Sequence, residues 1–135
     1  MKRILLAALT LVLAVSFTTT AFAGTDKKEY KPTFDLATVE ANLVAGVRSE
    51  NLGLRTSAAM MLGDLKSSNG VLALMSMLRN DTDERARIVA ALALTKIGDP
   101  VGMYAVKQTA RLDSNERVKK LCGLFYQEHK QQEIS

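Results

Sequence analysis

The chain has 135 residues, a length that suits one globular domain. Hydrophobic residues make up 47% of it and the net charge is only +4, so the composition is too apolar for a fully disordered protein. The single cysteine, Cys122, excludes an intrachain disulfide and a metal site built from several cysteines.

The first 23 residues contain the three parts of a secretory signal peptide in the expected order. Lysine and arginine at positions 2–3 form a basic start, and an apolar run follows over residues 4–15. Residues 21–23 (Ala-Phe-Ala) then match a small-x-small cleavage site. We therefore predict a signal peptide over residues 1–23, with cleavage before Gly24.

A transmembrane anchor is the alternative interpretation of this segment. An anchor needs about 20 apolar residues, and here Ser16 and the threonines at 18–20 interrupt the stretch. A lipoprotein is excluded because its new N-terminus must be a cysteine, and the only one is Cys122. We expect an exported protein, periplasmic or secreted, that meets the membrane only through the transient signal peptide. Cleavage would lower the net charge to +2.

The remaining chain divides into a short polar segment and a helical domain. Residues 24–32 are polar and aperiodic, which predicts a flexible leader. Residues 33–132 carry apolar residues at helical spacing, and no stretch alternates with the period of two that strands need. The pattern predicts six helices, over residues 34–48, 51–65, 69–79, 83–97, 100–111 and 115–131.

A 32-residue period organises this domain. Residues 54–62, 86–94 and 118–126 align without gaps, each with apolar residues on one helical stripe. In the first copy the predicted core stripe is Leu54, Ala58, Met61, Leu62 and Leu65. Asp81 with Glu84, and Asp113 with Glu116, fit a capping box at the start of a helix. A fixed period of this length predicts an all-α fold, a short right-handed α-solenoid of about three repeats.

The repeated segment resembles HEAT repeats. Asp81 followed by Ala86-Arg87, and Asp113 followed by Val118-Lys119, are similar to the Asp…Val-Arg/Lys signature of that family. The run 86–100 is similar to the short, alanine-rich class that includes bilin lyase-type proteins. The resemblance covers residues 34–131, and only the first copy departs from it, with Ser49 where aspartate is expected. It implies a stack of helix pairs that scaffolds proteins, binds nucleic acid or acts as a lyase.

Three cations, Arg55, Arg87 and Lys119, occupy the same position in successive repeats. They could form a stripe for an acidic ligand, or each could bind an aspartate of a neighbouring repeat as a ladder, which the family resemblance favours. Cys122 aligns with Ala58 and Ala90, which predicts a small buried residue rather than a nucleophile. The only histidine, His129, lies two turns away in a polar stretch and is expected to be solvated.

The sequence contains no arrangement that we interpret as catalytic, cofactor-binding or metal-binding. No basic run after residue 23 exceeds two residues, which disfavours nucleic acid as a partner. We expect an exported, non-enzymatic module for protein–protein interaction, whose partner is unknown and could be a second copy of itself. The alternatives are a HEAT-like accessory lyase or small-ligand-binding protein, and a structural subunit of an envelope assembly.

The helix predicted over 69–79 is apolar on nearly all sides, which is typical of a central core helix or an interface. Leu72, Ala73 and Met77 have no obvious core role in a single stripe. We interpret helices 69–79 and 100–111 as the second helices of their pairs, lining a concave inner face. The predicted partner-binding residues are Leu72, Ser76, Arg79, Tyr104, Gln108 and Arg111. The alternative is that Leu72 and Tyr104 pack on each other between repeats.

Overall fold

The computed structural model describes residues 35–135. The predicted signal peptide (1–23), the leader (24–32) and the start of the helical domain lie outside the described residues. The described part contains helices and no strand, with a short 3-10 turn at Ser68–Gly70 before the third helix. The six helices are α1 (Leu36–Gly46), α2 (Leu52–Asp64), α3 (Val71–Asn80), α4 (Glu84–Ile97), α5 (Pro100–Leu112) and α6 (Glu116–Ile134).

The helices form three hairpins, α1/α2, α3/α4 and α5/α6, stacked in chain order. The prediction of an all-α fold, a short α-solenoid of three helical repeats, is confirmed for residues 35–135. The second helices α2, α4 and α6 make one layer and the first helices α1, α3 and α5 the other. None of the six helices is both long and apolar enough to cross a membrane.

Short polar side chains start most of these helices by accepting hydrogen bonds from free N–H groups of the first turn. The caps of α4 and α6 are Asp83 and Asn115, so the prediction that Asp81 and Asp113 fill this role is wrong. The capping boxes are absent as well. The Glu84 carboxylate instead accepts hydrogen bonds from the Asn115 side chain, at 2.6 Å, and from Arg117, at 3.1 Å.

Asp81 and Asp113 are engaged by the arginines of the preceding repeat. Arg55 donates two hydrogen bonds to the Asp81 carboxylate, at 2.7 and 3.0 Å, and Arg87 donates two to Asp113, at 3.0 and 3.1 Å. Arg87 also reaches back to the Asp81 carbonyl at 2.9 Å, so the ladder runs without interruption. Among the described residues, Lys119 pairs only with Glu116 on its own helix. The ladder interpretation of the cation column is therefore correct for both arginines.

The core lies between the two layers and is built around α4. Alanines at positions 86, 90, 91 and 93 let the neighbouring helices approach closely, and Leu62, Leu74, Leu78 and Leu94 fill the space between the layers. Ala58, Ala90 and Cys122 are all buried at their shared repeat position, as the alignment predicts.

One part of the predicted core is wrong. Leu54, Met61 and Leu65 of the first copy are 55%, 50% and 44% exposed, although their counterparts Ala86 and Ala93 are buried. The reason is positional. These side chains of α2 point to the side where α4 and α6 each meet the preceding second helix, and within residues 35–135 no such helix precedes α2.

Candidate partner-binding surface

The structure shows which sides of the nearly all-apolar helix α3 are buried and which side is exposed. Ala73 and Met77 are buried, as the central-core alternative predicts, and they lie beside Val47, which follows α1. Leu72 alone among the large apolar residues of α3 stays in solvent, at 77% exposure. The helix therefore buries two sides and presents a narrow third side outward.

The six predicted partner-binding residues all lie on the outward side of α3 and α5. Leu72 and Tyr104 occupy the same repeat position, and Tyr104 is 59% exposed, so neither buries the other as the alternative interpretation required. Ser76, Arg79 and Arg111 are exposed and Gln108 is half-buried.

The position of these helices in their pairs differs from the sequence interpretation. α3 and α5 are the first helices of their hairpins, not the second. Contacts between α2 and α4, and between α4 and α6, are more extensive than those between α3 and α5. Because a stack curves towards its more closely packed layer, the predicted surface lies on the wider side and not on the concave inner side.

Three clefts border these helices. A cleft of about 250 Å³ between α3 and α5 contains Arg79 and Gln108, and one of about 450 Å³ between the α1–α2 loop and α3 contains Ser76. A third, of about 240 Å³, places Tyr104 beside Tyr126 of α6. The structure thus distributes four of the predicted residues over three clefts, while Leu72 and Arg111 line none of them.

Sequence reasoning missed Leu112, which lines the cleft between α3 and α5 and is mostly exposed. Its repeat counterpart is Asn80, a polar residue. An apolar side chain at a repeat position that is polar in the preceding copy was the available signal. With Leu72 and Tyr104, it gives this face three large exposed apolar side chains.

Arginines on this face differ from those of the ladder. Arg55 and Arg87 are held in paired hydrogen bonds and are mostly buried. Arg79 and Arg111, also 32 residues apart, make no salt bridge with any residue in the range 35–135. Their guanidinium groups are exposed and keep the paired donors that bind carboxylates.

The remaining reactive side chains are engaged within the fold. Burial, reinforced by Asp113, raises the pKa of the Cys122 thiol to about 12, so the thiol is protonated at neutral pH. His129 packs against Gly98 and lies 3.3 Å from Glu133, so the expectation that it is solvated is wrong. Within residues 35–135 no three His, Cys, Asp or Glu side chains are grouped to hold a metal ion.

Comparison with known proteins agrees with the architecture. A search of curated proteins found no match to the chain. The family model for HEAT repeats matches residues 40–123, from the middle of α1 into α6. That match spans all three hairpins and most of the described domain, and the Arg–Asp ladder connects the same repeats. The chain therefore belongs to the HEAT-repeat family.

Proposed function

We propose that this protein is an exported, non-enzymatic interaction module that binds a protein partner on the outward face of α3 and α5. HEAT repeats are generally protein-interaction modules, but a fold by itself does not identify a site. The observation that carries the proposal is the exposure of Leu72 and Tyr104 at one repeat position on neighbouring helices.

The chemistry of the face favours a particular kind of partner segment. Leu72, Tyr104 and Leu112 supply apolar contact area, and Arg79 and Arg111 lie at the same repeat position beside them. Tyrosine and arginine are enriched among the residues that dominate binding energy at protein interfaces. A partner segment with apolar side chains followed by a carboxylate would satisfy both groups.

Export rests on the sequence of residues 1–23. The basic, apolar and small-x-small parts follow in order. N-terminal sequencing of the protein from the native envelope or medium should find Gly24 first. A soluble protein that keeps Met1 or Lys2 would contradict export by this route.

The non-enzymatic part of the proposal is supported by the state of the one thiol. Cys122 is buried and protonated, so it is a poor nucleophile. A small organic ligand that stays bound through purification, with turnover of that ligand, would favour the alternative of a HEAT-like accessory lyase.

Position-specific photo-crosslinking in the native cell tests the binding face. A photoactivatable residue placed at position 72 or 104 should form a discrete crosslink to a single partner. The same residue at Gln127, exposed on α6, is the matched control and should form none. Equal crosslinking at all three positions, or none at 72 and 104, would contradict the proposal.

A further inference from the structure

The N-terminal end of the stack presents an apolar stripe on α2. Leu54, Met61 and Leu65 are about half-exposed, and Ser57 is exposed between them. They are spaced three or four residues apart, so they lie along one side of the helix.

Later repeats use these same positions to stack. The counterparts of Leu54 and Met61 are Ala86 and Ala93 in α4, both buried. Ala93 is the residue on which Gly63 of α2 packs. The stripe on α2 therefore occupies the side through which the second helix of a later repeat contacts the second helix of the repeat before it.

The first helix continues this surface. Ala41 and Ala45 of α1 are exposed, whereas their counterparts Ala73 and Met77 in α3 are buried. The whole N-terminal end, from α1 to α2, thus exposes side chains of the type that the stack buries one repeat later.

The C-terminal end is different, because polar side chains surround its large exposed apolar residue, Leu124. Gln127 of α6 corresponds to Gly63, and Lys120 corresponds to Thr56; both are exposed. At Gly123, the counterpart of buried Ala59 and Ala91, a Cβ would meet no atom within 4 Å. Terminal repeats of a solenoid need such a polar outer face for solubility. Against the three large apolar side chains of the α2 stripe, this end offers Leu124 flanked by Lys120 and Gln127, so head-to-tail stacking of copies is disfavoured.

The stripe is complementary to itself. In an antiparallel pair of α2 helices whose twofold axis passes near residue 59, Leu54 of one copy would lie within about one residue, or about 1.5 Å along the helix axis, of Leu65 of the other. The small Ser57 would meet the large Met61, which gives the alternation of size that close packing requires. A twofold interface needs this property, because the same patch must serve both sides.

We propose that the N-terminal end of the stack is a self-association surface, on which α2 of one copy packs antiparallel on α2 of a second copy. The surface is separate from the outward face of α3 and α5. The proposal therefore goes beyond the proposed function and does not depend on it.

Oligomeric state provides the first test. The protein purified as the cell processes it should sediment as a dimer at about 10–100 μM, as expected for a modest interface. Met61→Lys, which places a charge in the middle of the stripe, should weaken dimerisation at least about tenfold. Leu124→Lys on exposed α6 is the matched control and should leave the dimer intact.

Directed disulfide formation tests the antiparallel register. Ser57→Cys protein mixed with Met61→Cys protein should form mixed interchain disulfides faster than either protein alone under mild oxidation. Lys120→Cys mixed with Gln127→Cys provides the matched control at the polar end and should form few. Native Cys122 is buried and does not compete.

Three results would overturn the proposal. The first is a monomer at about 100 μM, and the second is a dimer that Met61→Lys does not weaken. The third is a monomer that dimerises only after residues 24–34 are removed, because the chain's own N-terminal segment would then be the occupant of the stripe.

Discussion

Gly63 of α2 packs directly on Ala93 of α4, and a Cβ at Gly63 would lie 2.8 Å from the Ala93 Cα atom. The obstacle is backbone, which no side-chain rotation can relieve. This contact sets the separation of α2 and α4. The close packing of the layer formed by α2, α4 and α6 depends on that separation.

Gly63→Ala should therefore lower the free energy of unfolding by about 1–3 kcal/mol, because α2 and α4 must move apart. Gly123→Ala makes the same chemical change in α6, where a Cβ meets nothing within 4 Å. That variant should be neutral or more stable by up to about 1 kcal/mol, since alanine is the better helix former. Urea denaturation of both variants measures the difference. Equal effects would show that the α2–α4 contact is not tight.

Lys66 and Gly98 occupy the same repeat position and both have positive φ, at 50° and 73°. A lysine in this left-handed conformation is strained, whereas glycine is not. Lys66→Gly should raise the unfolding free energy by up to about 1 kcal/mol, and Gly98→Ala should lower it by about 1 kcal/mol or more. Thermal unfolding of the two single variants distinguishes the signs. A loss of stability in Lys66→Gly would contradict the assignment.

Acid stability should depend on the Arg55–Asp81 pair. The hydrogen bonds from Arg55 hold the pKa of Asp81 below its usual range, although burial opposes this. The folded state then binds fewer protons than the unfolded state. The stabilisation that the Arg55–Asp81 pair adds to the folded state is therefore present at neutral pH and is lost as the pH falls below about 4. The melting temperatures of Arg55→Gln and Asp81→Asn should both fall less than that of the wild type between about pH 5 and 2. An unchanged profile in both variants would show that the pair does not contribute.

The buried column Ala58, Ala90 and Cys122 predicts how stability changes when a side chain in the core is made larger or smaller. Ala90→Phe should overpack it and destabilise by about 1–3 kcal/mol or more. Cys122→Ala should be mild and leave partner binding intact. A thiol reagent at pH 8 should react with Cys122 only after unfolding, because the buried thiol remains protonated. Rapid reaction in the folded protein, or loss of function in a stable Cys122→Ala variant, would indicate a reactive thiol.

Much of the fold could be predicted because the repeat and the helical period agree. The aligned positions of Ala90 and Cys122 gave the core column, and the position of Arg87 gave the ladder. The caps could not be assigned, because Asp81 and Asp83 are equally good caps locally. The choice between them is made by Arg55, which is 26 residues away from Asp81 in sequence.

The site was less predictable, for a geometric reason. A 32-residue period has the same appearance whichever helix begins the pair, so sequence alone did not assign α3 and α5 to the wider layer. His129 shows what the repeat could still have indicated. Its counterparts Leu65 and Ile97 are apolar, which marks position 129 as a packing position despite its polar neighbours.

The binding role of the α3/α5 face can be decided by comparing two double variants. Tyr104→Ala/Arg111→Ala removes one apolar and one cationic side chain from the face, and Leu124→Ala/Lys120→Ala removes the same pair of types from exposed α6. Quantitative co-purification from native extract should show one stoichiometric protein retained by the wild type and the α6 variant. The face variant should lose that protein by at least about tenfold while its melting temperature stays within a few degrees. Full retention by the face variant, or early melting of it, would contradict a binding role for this face.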